Sequence, residues 1–399
     1  MSSASPSPAA RPASLDAVFA HAWQAAEFTA SDVIAVTGLT RSTAIDAMDT
    51  LARAGLLREL PNARHAGDYR KGRPARRFAL AEEAGALVGI DAGNEHVTAT
   101  VADLRSRPLA TRRLRLELDR DDGPARAALV AALVDDVLRD AGLARADVLS
   151  VCAGVPAPVD RSGRSPRHPT GFWERMNPGL VDTFAWAPLV RIANDASLAA
   201  VAEGSIGAAV GCRDYVTLLA GARLGAGVVI DGHLLRGAHG GVGEMVAFAH
   251  VLGVGTADGL GARVGAIVAD VLAEGAADSA LAGLGTSERD APAVLALAAR
   301  GDAAALEVAD RLGAVLARIV SVLGSMFDPE RVVVSGAIAA GMTDVVAAAR
   351  RALPTDLDLP APTIALSDLG ADVVVRGAVA AAASHARERA LDVWTFARP

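Results

Sequence analysis

From about residue 86 onward, short apolar runs of valine, alanine, leucine and isoleucine alternate with glycine-rich turns and longer alanine-rich segments. Short apolar runs between turn residues are typical of buried strands, whereas the longer segments have the length of helices. This alternation predicts an α/β fold, and its extent fits two lobes better than one. The predicted strands are 87–91, 97–103, 148–152, 216–220, 226–230 and 331–334, and the predicted helices lie near 124–142, 197–206, 256–274, 291–299, 303–325, 341–352 and 374–391.

The first 80 residues have a different pattern, which predicts three short helices and a two-stranded ribbon. The expected elements are a helix over 15–27 capped by Ser14, a helix capped by Thr29 or Ser31 that ends at Gly38, a helix over 41–53 capped by Thr40, and strands over 56–60 and 77–80. Two helices joined by a glycine-containing turn and followed by a ribbon predict a winged helix-turn-helix. We therefore expect a disordered tail over 1–13, a winged helix-turn-helix domain over 14–82 and an α/β domain over 84–399.

Charge is distributed unevenly along the chain. Residues 1–80 hold ten Lys and Arg against seven Asp and Glu, whereas the remainder holds 29 against 39. This asymmetry indicates a polyanion partner at the N-terminal domain alone, and double-stranded DNA is the partner expected for a winged helix-turn-helix. The candidate DNA-binding residues are Thr40, Arg41, Ser42 and Thr43 at the start of the third helix, and Arg70, Lys71 and Arg73 in the wing. A solvated basic loop on a small helical domain is the alternative.

Composition narrows the remaining classes of protein. Cys152 and Cys212 both fall in apolar runs and are expected to be buried free thiols, since two cysteines cannot form a disulfide framework or a four-thiolate zinc site. The longest apolar runs are broken by charged residues, so no membrane span is expected. The N-terminal tail lacks the apolar core of a secretory signal, and a cytoplasmic location is the expectation.

Several glycine-containing motifs lie at intervals along the predicted α/β domain. They are Gly89-Ile90-Asp91-Ala92-Gly93, Gly154 to Asp160, Asn194-Asp195-Ala196-Ser197, Gly221 to Gly227 with Gly237 to Glu244, and Val334-Ser335-Gly336-Ala337. In their order and spacing the chain resembles the ROK family of repressors, open reading frames and sugar kinases. The resemblance implies an actin-like ATPase fold of two RNase H-like lobes with a cleft between them. Lobe one would cover about 84–200 with a C-terminal helix of about 380–395, and lobe two about 201–379.

The resemblance also implies roles for individual residues. Asp195 matches the general base of the family's kinases, and Asn194 and Glu244 match residues that bind other sugar hydroxyls. Asp91 and Gly93 match the first phosphate loop, and Gly225 and Gly227 the second. Two structural alternatives stay open: Asp195 as a helix cap, and Glu244 as a structural hydrogen-bonding residue.

The chain departs from the family pattern at both of its cofactor sites. The family's Gly-Gly-Thr after the first aspartate is replaced by Gly93-Asn94-Glu95, which puts a carboxylate where a phosphate would lie, so ATP binding is not expected. The family's Glu-x-Gly-His is replaced by Glu244-Met245-Val246-Ala247, and the cysteine cluster that should follow is missing. Since zinc needs about four such ligands, we expect no metal site and no cofactor.

The sequence therefore favours a transcription regulator, most simply a repressor, that acts as a homodimer or homotetramer on operator DNA. A carbohydrate in the cleft between the lobes would be its effector. An ATP-dependent sugar kinase with a vestigial DNA-binding module is the alternative enzyme, although both of its cofactor motifs are degenerate. A third hypothesis is a regulator that needs no ligand and uses the large domain to dimerise.

Overall fold

A computed structural model describes residues 11–61, 75–116, 123–221, 223–276, 278–355 and 359–394. Its helices are α1 Ala13–Gln24, α2 Ala30–Thr37, α3 Arg41–Arg53, α4 Gly123–Asp140, α5 Phe172–Met176, α6 Leu180–Thr183, α7 Asp195–Ile206, α8 Leu260–Ala273, α9 Ala280–Gly283, α10 Ala291–Ala298, α11 Ala303–Phe327, α12 Thr343–Ala352 and α13 Val373–Val393. Its strands are β1 Phe28–Thr29, β2 Leu57–Leu60, β3 Arg77–Leu80, β4 Ala86–Ala92, β5 His96–Ala102, β6 Pro108–Arg115, β7 Val148–Val155, β8 Leu189–Asn194, β9 Tyr215–Ala220, β10 Leu224–Ile230, β11 His233–Leu234, β12 Arg331–Ser335 and β13 Thr363–Leu366. Within these ranges, no helix has the length and apolar character to cross a membrane.

The N-terminal head contains α1–α3 and a small sheet in the order β1-β3-β2. Thr29 caps α2 through a capping box with Asp32, and Gly38 ends the helix with a φ of 69°. That left-handed turn suits glycine, and it lets α3 begin at once behind its cap, Thr40. Helix, turn, helix and ribbon thus have the element order of a winged helix-turn-helix. The expected cap at Ser14 is wrong, because Ser14 lies inside α1 and Pro12 occupies the cap position.

Lobe one is built on a five-stranded sheet in the order β6-β5-β4-β7-β8. Strands β4, β7 and β8 are parallel, whereas β5 and β6 run antiparallel to their neighbours. Helix α4 packs on one face, and α7 and α13 pack on the other. The strands β4 and β7 are apolar and almost fully buried because helices cover both of their faces.

Lobe two repeats this arrangement in the order β11-β10-β9-β12-β13. In both sheets an antiparallel meander of three strands is followed by two parallel strands on the far side of the first strand. The recurrence of one strand order in two consecutive lobes confirms the predicted actin-like α/β architecture. Helices α8, α10, α11 and α12 cover one face of the second sheet, and α7 covers the other. Helix α7 therefore packs between the two sheets.

The head and lobe one share a single apolar core. One continuous cluster joins Phe19, Phe28 and Phe78 of the head to Leu198 of α7 and Val379 of α13. Burial of large side chains across this junction stabilises the docking of the head, since each contributes about 1.5–3 kcal/mol.

Several boundaries differ from those that the sequence predicts. Helix α1 ends at Gln24 rather than 27, and strands β1, β6, β8, β11 and β13 were not among the predicted ones. The C-terminal helix was assigned to lobe one from about residue 380, but it packs there from its first residue, Val373. Cys152 is buried as expected, whereas Cys212 is half-buried.

Candidate functional site

The first turn of α3 is an exposed polar surface. The Thr40 hydroxyl accepts the backbone N–H of Thr43 at 3.3 Å and lies 3.1 Å from the Ser42 hydroxyl and 2.8 Å from that of Thr43. Arg41 is exposed, and its guanidinium has no hydrogen bond or ion pair with any residue that the structure describes. The helix starts here because Thr40 satisfies an amide that has no partner within the helix. A free cation and three hydroxyls thus lie at the positive end of a helix dipole.

The wing contributes less free positive charge than its composition indicates. Arg70, Lys71 and Arg73 lie outside the described residues. Arg76 donates to both Glu59 oxygens at 3.0 and 2.8 Å and to Asp49 at 2.7 Å. These bonds raise the pKa of Arg76 above its ordinary value. Arg77 pairs in turn with Glu27, so both arginines at the base of the ribbon are used within the head.

In the large domain, Asn194 and Asp195 lie where β8 ends and α7 begins. The Asn194 side-chain oxygen accepts the backbone N–H of Ser197 at 3.0 Å, which makes Asn194 the cap of α7. Its amide nitrogen donates to Asp195 at 3.0 Å and to the Ala157 carbonyl at 3.4 Å. The same Asp195 oxygen accepts the backbone N–H of Ala196 at 2.7 Å. The capping role that the sequence allowed for Asp195 therefore belongs to Asn194.

Glu244 reaches this position from lobe two. A backbone bridge joins it to Gly225 of β10, and the Ala226 amide donates to the Gly243 carbonyl at 3.0 Å. Gly243 has a φ of 93°, and a Cβ there would lie 1.7 Å from the Ala226 carbonyl oxygen. A side chain at Gly243 would therefore push the loop that carries Glu244 off the strand.

The carboxyl groups of this cleft are half-buried and interact electrostatically with one another. Burial raises the pKa of Asp195 to about 7, and the nearby charges of Asp91 and Glu244 act in the same direction. Burial also raises the pKa of Asp91 to about 7, against the opposing charges of Arg113 and Arg126. The pKa of Glu244 is raised by burial too. The structure thus brings Asp91, Asp195 and Glu244 into one electrostatic cluster between the lobes.

The two glycines assigned to a second phosphate loop lie inside strand β10. A Cβ at Gly227 would lie 2.4 Å from the Ala196 carbonyl oxygen and 2.5 Å from the Ala200 side chain. A Cβ at Gly225 would lie 3.3 Å from the Ala196 side chain. Both glycines let the first turns of α7 approach the strand closely, which holds Asp195 beside lobe two.

A profile of the ROK family matches residues 87–384, about three-quarters of the sequence. The chain belongs to the ROK family. The bifunctional enzyme NanE/NanK of Brucella suis is 32% identical over 198 residues, which are 49% of this chain and 35% of that protein. The xylose repressor of Bacillus subtilis is 23% identical over 210 residues, 53% of each chain. This chain thus spans about a third to a half of the length of these relatives.

Two solved structures have the same fold. A ROK family transcriptional regulator, a homologue of the E. coli MLC protein, is 19% identical with a TM-score of 0.73, covering 94% of this chain and 97% of the other. A ROK family glucokinase from Streptomyces griseus, in complex with glucose and AMPPNP, is 22% identical with a TM-score of 0.62. That likeness covers 75% of this chain and 100% of the kinase, so it leaves a quarter of this chain unmatched.

The first loop of the ROK domain does not fit the phosphates of a nucleotide. The Gly93 backbone amide interacts with the Asp91 carboxylate and opposes the rise in its pKa. The Arg126 guanidinium donates to the Gly93 carbonyl at 2.7 Å and also to the Ala92 carbonyl, which ties the loop to the start of α4. The exposed carboxylate of Glu95 follows in the same turn. Together these groups close the loop on itself and add negative charge beside it.

The zinc of the family does not fit this chain either. In the described residues, no group of three or more His, Cys, Asp or Glu side chains is placed to hold a metal ion. Instead, Met245, Phe248 and Val254 are buried in the core of lobe two. Buried Arg263 donates to the carbonyls of Val254 at 2.7 Å, Thr256 at 2.7 Å and Asp258 at 3.0 Å. Apolar burial and one arginine thus organise the loop that follows Glu244.

Three arginines near the candidate site were not predicted from the sequence. Arg126 lies on the first turn of an apolar helix and Arg263 lies on α8, whereas Arg223 is exposed just before β10 and its charge opposes the rise in the pKa of Glu244. An arginine on the apolar face of a helix is the only signal available, since such a side chain is rarely buried without partners. The carbonyl partners of Arg126 come from a segment more than 30 residues away, and those of Arg263 from the loop just before its helix, and neither pairing is visible in the sequence pattern.

Proposed function

We propose that this ROK protein is a DNA-binding transcription regulator, a repressor that acts as a homodimer and responds to a carbohydrate in the cleft between its lobes. The observation that carries the proposal is Arg41, an exposed guanidinium on the first turn of α3 that has no partner among the residues described by the structure. In a winged helix-turn-helix this turn enters the major groove, where arginine binds guanine or phosphate. The hydroxyls of Thr40, Ser42 and Thr43 are suited to the adjacent phosphates.

The wing completes the proposed interface. Arg70, Lys71 and Arg73 lie in the sequence between β2 and β3. Because Arg76 and Arg77 are already paired within the head, we assign the proposed contacts of the wing with DNA to Arg70, Lys71 and Arg73. Two heads related by a two-fold axis would bind two half-sites of an operator.

The cleft supplies groups suited to a polyhydroxylated effector. The carboxylate oxygens of Asp195 and Glu244 can accept hydrogen bonds from sugar hydroxyls, and Asn194 adds an amide group. Asn194 and Asp195 begin α7, whereas Glu244 belongs to a lobe-two loop. A ligand bound by both would favour one separation of the lobes over another, which is the differential affinity that allostery requires.

A titration with DNA tests the proposal. Purified protein is added to a labelled duplex from its own upstream region and to a scrambled duplex, at several salt concentrations, with fluorescence anisotropy as the readout. We expect preference for the upstream duplex, with affinity that falls steeply as salt rises because counterions are released from phosphates. Arg41→Ala should weaken specific binding about 5- to 100-fold, the effect of a lost bidentate contact of roughly 1–3 kcal/mol.

Arg300→Ala is the matched control, because Arg300 is equally exposed but lies in lobe two, between α10 and α11. It should leave both affinity and salt dependence unchanged. Weak binding that is equal for the two duplexes, or unchanged affinity in Arg41→Ala, would refute the assignment of α3 as the recognition helix.

Sugar phosphorylation is the second candidate function. One observation favours it: Asp195 has a pKa of about 7, the range in which a carboxylate acts as a general base at neutral pH. The closed first loop opposes it. ATP-dependent phosphorylation of a panel of hexoses, lost in Asp195→Asn, would establish a kinase, whereas no turnover together with specific DNA binding supports the regulator.

A further inference from the structure

A cavity of about 770 Å³ lies on the far side of lobe one from helix α4, between the head and the ROK domain. Its walls come from α1, the β5–β6 hairpin, α7 and α13. None of Asn194, Asp195 and Glu244 lines it, so it is separate from the carboxylate cluster of the cleft. Its volume is within the range of about 300–1,000 Å³ that is typical of small-molecule sites.

Helix α13 presents two arginines to the cavity, with small side chains between them. Arg376, Ala380, Ala383 and Arg387 line the cavity, and their spacings of four, three and four residues place them in one stripe along the helix. At a rise of 1.5 Å per residue the two arginine Cα atoms are about 16 Å apart, and the lining between them is apolar except for the Ser384 hydroxyl. Both arginines are exposed. Neither has a hydrogen bond or ion pair with another residue in the described part of the chain.

The opposite wall is largely apolar. Trp23 of α1, Pro108 of the hairpin, and Val201 and Ile206 of α7 line it. Ile206, the last residue of α7, is 58% exposed. An apolar ligand between Ile206 and the alanines of α13 would remove this surface from water.

Asp372, one turn before Arg376, adds one carboxylate to the lining, whereas several other polar groups of the cavity already have partners. Arg105 donates to the carbonyls of Trp23 at 2.5 Å and Ala25 at 2.6 Å. The hydroxyls of Thr100 and Thr111 are hydrogen-bonded to each other at 2.9 Å. The lining thus carries three arginines and one carboxylate, so its net charge is positive, and along α13 the guanidinium farther from Asp372 is that of Arg387.

We propose that this cavity binds a small amphipathic organic anion. Its apolar body packs on Ala380 and Ala383 and against Trp23 and Ile206, and its carboxylate, sulfonate or phosphate group pairs with an arginine at the end of the stripe. A guanidinium binds such oxyanions in a bidentate manner, and its interaction is strengthened where the apolar body excludes water. The free arginines make a neutral ligand a poorer fit than an anion.

A ligand in the cavity would contact the N-terminal head directly. Trp23 lies in the last turn of α1, and α1 packs against α3 in the core of the head. A ligand wedged between Trp23 and α13 would therefore alter how the head sits on lobe one. This consequence for DNA affinity rests on the proposed regulator function, whereas ligand binding itself does not.

The test uses anilinonaphthalene sulfonate, an aromatic sulfonate whose fluorescence increases in an apolar site, with the full chain and no DNA. We expect saturable binding of one probe per chain, displaced by decanoate but not by the uncharged decanamide. The double variant Arg376→Gln/Arg387→Gln should bind the probe about tenfold more weakly, the effect of losing a charge-assisted hydrogen bond. Arg300→Gln, another exposed arginine without a partner among the described residues, should bind it as the unchanged chain does.

Other outcomes would overturn the proposal. Equal probe affinity in the double variant, or equal displacement by decanamide, would show that the arginines do not select an anion. Ile206→Asp tests the apolar wall, and circular dichroism of each variant checks that it is folded. If Ile206→Asp converts a dimer to a monomer in sedimentation and the parent chain binds no probe, the surface is an interface between two copies and not a ligand site.

Discussion

Trp394 donates its indole N–H to the carbonyl oxygen of Ala54 at 3.1 Å, across 340 residues of sequence. Ala54 is the C-cap of α3 and Trp394 is the C-cap of α13, so the bond ties the end of the proposed recognition helix to the end of the ROK domain's last helix. Close by, Arg11 pairs with Asp392 at 2.9 Å. Since α13 also packs along α7, which begins with Asp195, the cleft and the head are connected through two rigid helices.

Replacing Trp394 with phenylalanine should loosen this connection. A phenyl ring takes the place of the indole, and the Ala54 carbonyl loses its hydrogen-bond donor. An unsatisfied group of this kind costs about 1–3 kcal/mol. We expect the free energy of unfolding, measured by urea denaturation with circular dichroism, to fall by about 1 kcal/mol. Amides at the end of α3 should also exchange faster with deuterium.

Trp186→Phe is the matched control for this variant. The indole nitrogen of Trp186 is buried and has no hydrogen-bond partner in the described structure, so the substitution removes no bond. Its loss of stability should be smaller than that of Trp394→Phe. An equal loss in both variants would mean that the bond to Ala54 contributes nothing beyond ring packing.

The approach of α7 to β10 should be sensitive to a single methyl group. A Cβ at Gly227 would lie 2.4 Å from a backbone oxygen of α7, so Gly227→Ala must displace the helix that carries Asn194 and Asp195. We expect a loss of about 1–3 kcal/mol of stability, typical of overpacking, measured by thermal or urea unfolding.

Gly265→Ala provides the contrast. Gly265 lies in α8, is exposed, and has no atom within 4 Å of the position that a Cβ would take. Alanine there should be neutral or should stabilise the chain by up to about 1 kcal/mol, since it is the better helix former. Similar effects of the two substitutions would contradict the close contact at Gly227.

Much of the fold follows from apolar periodicity, and the exceptions have a physical cause. Strands β4 and β7 are buried on both faces and read as uninterrupted apolar runs. Strand β6 is an edge strand with almost every residue exposed, including Arg112, Arg113 and Arg115, so nothing in its composition indicates a strand. Its conformation comes from pairing with β5, which is a tertiary effect.

The candidate site was predictable only in part. The adjacent Asn194 and Asp195 marked the cleft, because a motif of neighbouring residues stays together in any fold. Gly225 and Gly227 were interpreted as a phosphate loop, but a glycine in the sequence does not say which close contact it permits. The raised pKa of Asp195 depends on burial and on side chains from both lobes, which only the folded chain brings together.

The effect of Asp195→Asn on the stability of the fold should depend on pH. Burial raises the pKa of Asp195 from its ordinary value of 3.8 to about 7, so the folded state binds this proton more tightly than the unfolded state does. Its contribution to stability is therefore present at low pH and is lost as the pH rises toward about 7. Asparagine keeps the acceptor for the Ala196 amide and carries no charge, so it avoids this loss.

Thermal unfolding at a series of pH values measures the effect. The melting temperature of Asp195→Asn minus that of the parent chain should increase from about pH 5 to about pH 8 and change little at higher pH. Asp270→Asn, on the exposed face of α8, is the control and should show a difference that does not follow this profile. A constant difference for Asp195→Asn across the range would mean that the Asp195 carboxyl is not shielded.

The loop after Glu244 should be stable without any metal but should depend on Arg263. Three carbonyls of residues 254–258 accept hydrogen bonds from this one buried guanidinium. Arg263→Met keeps much of the apolar stem and leaves the carbonyls without donors, so we expect a loss of about 3 kcal/mol of stability, the upper range for a hydrogen bond to a charged group. A strong chelator should leave the melting temperature of the parent chain unchanged, and added zinc should not restore Arg263→Met. If the chelator lowers the melting temperature and zinc restores it, a metal stabilises the fold, and the view that apolar burial and Arg263 replace it is wrong.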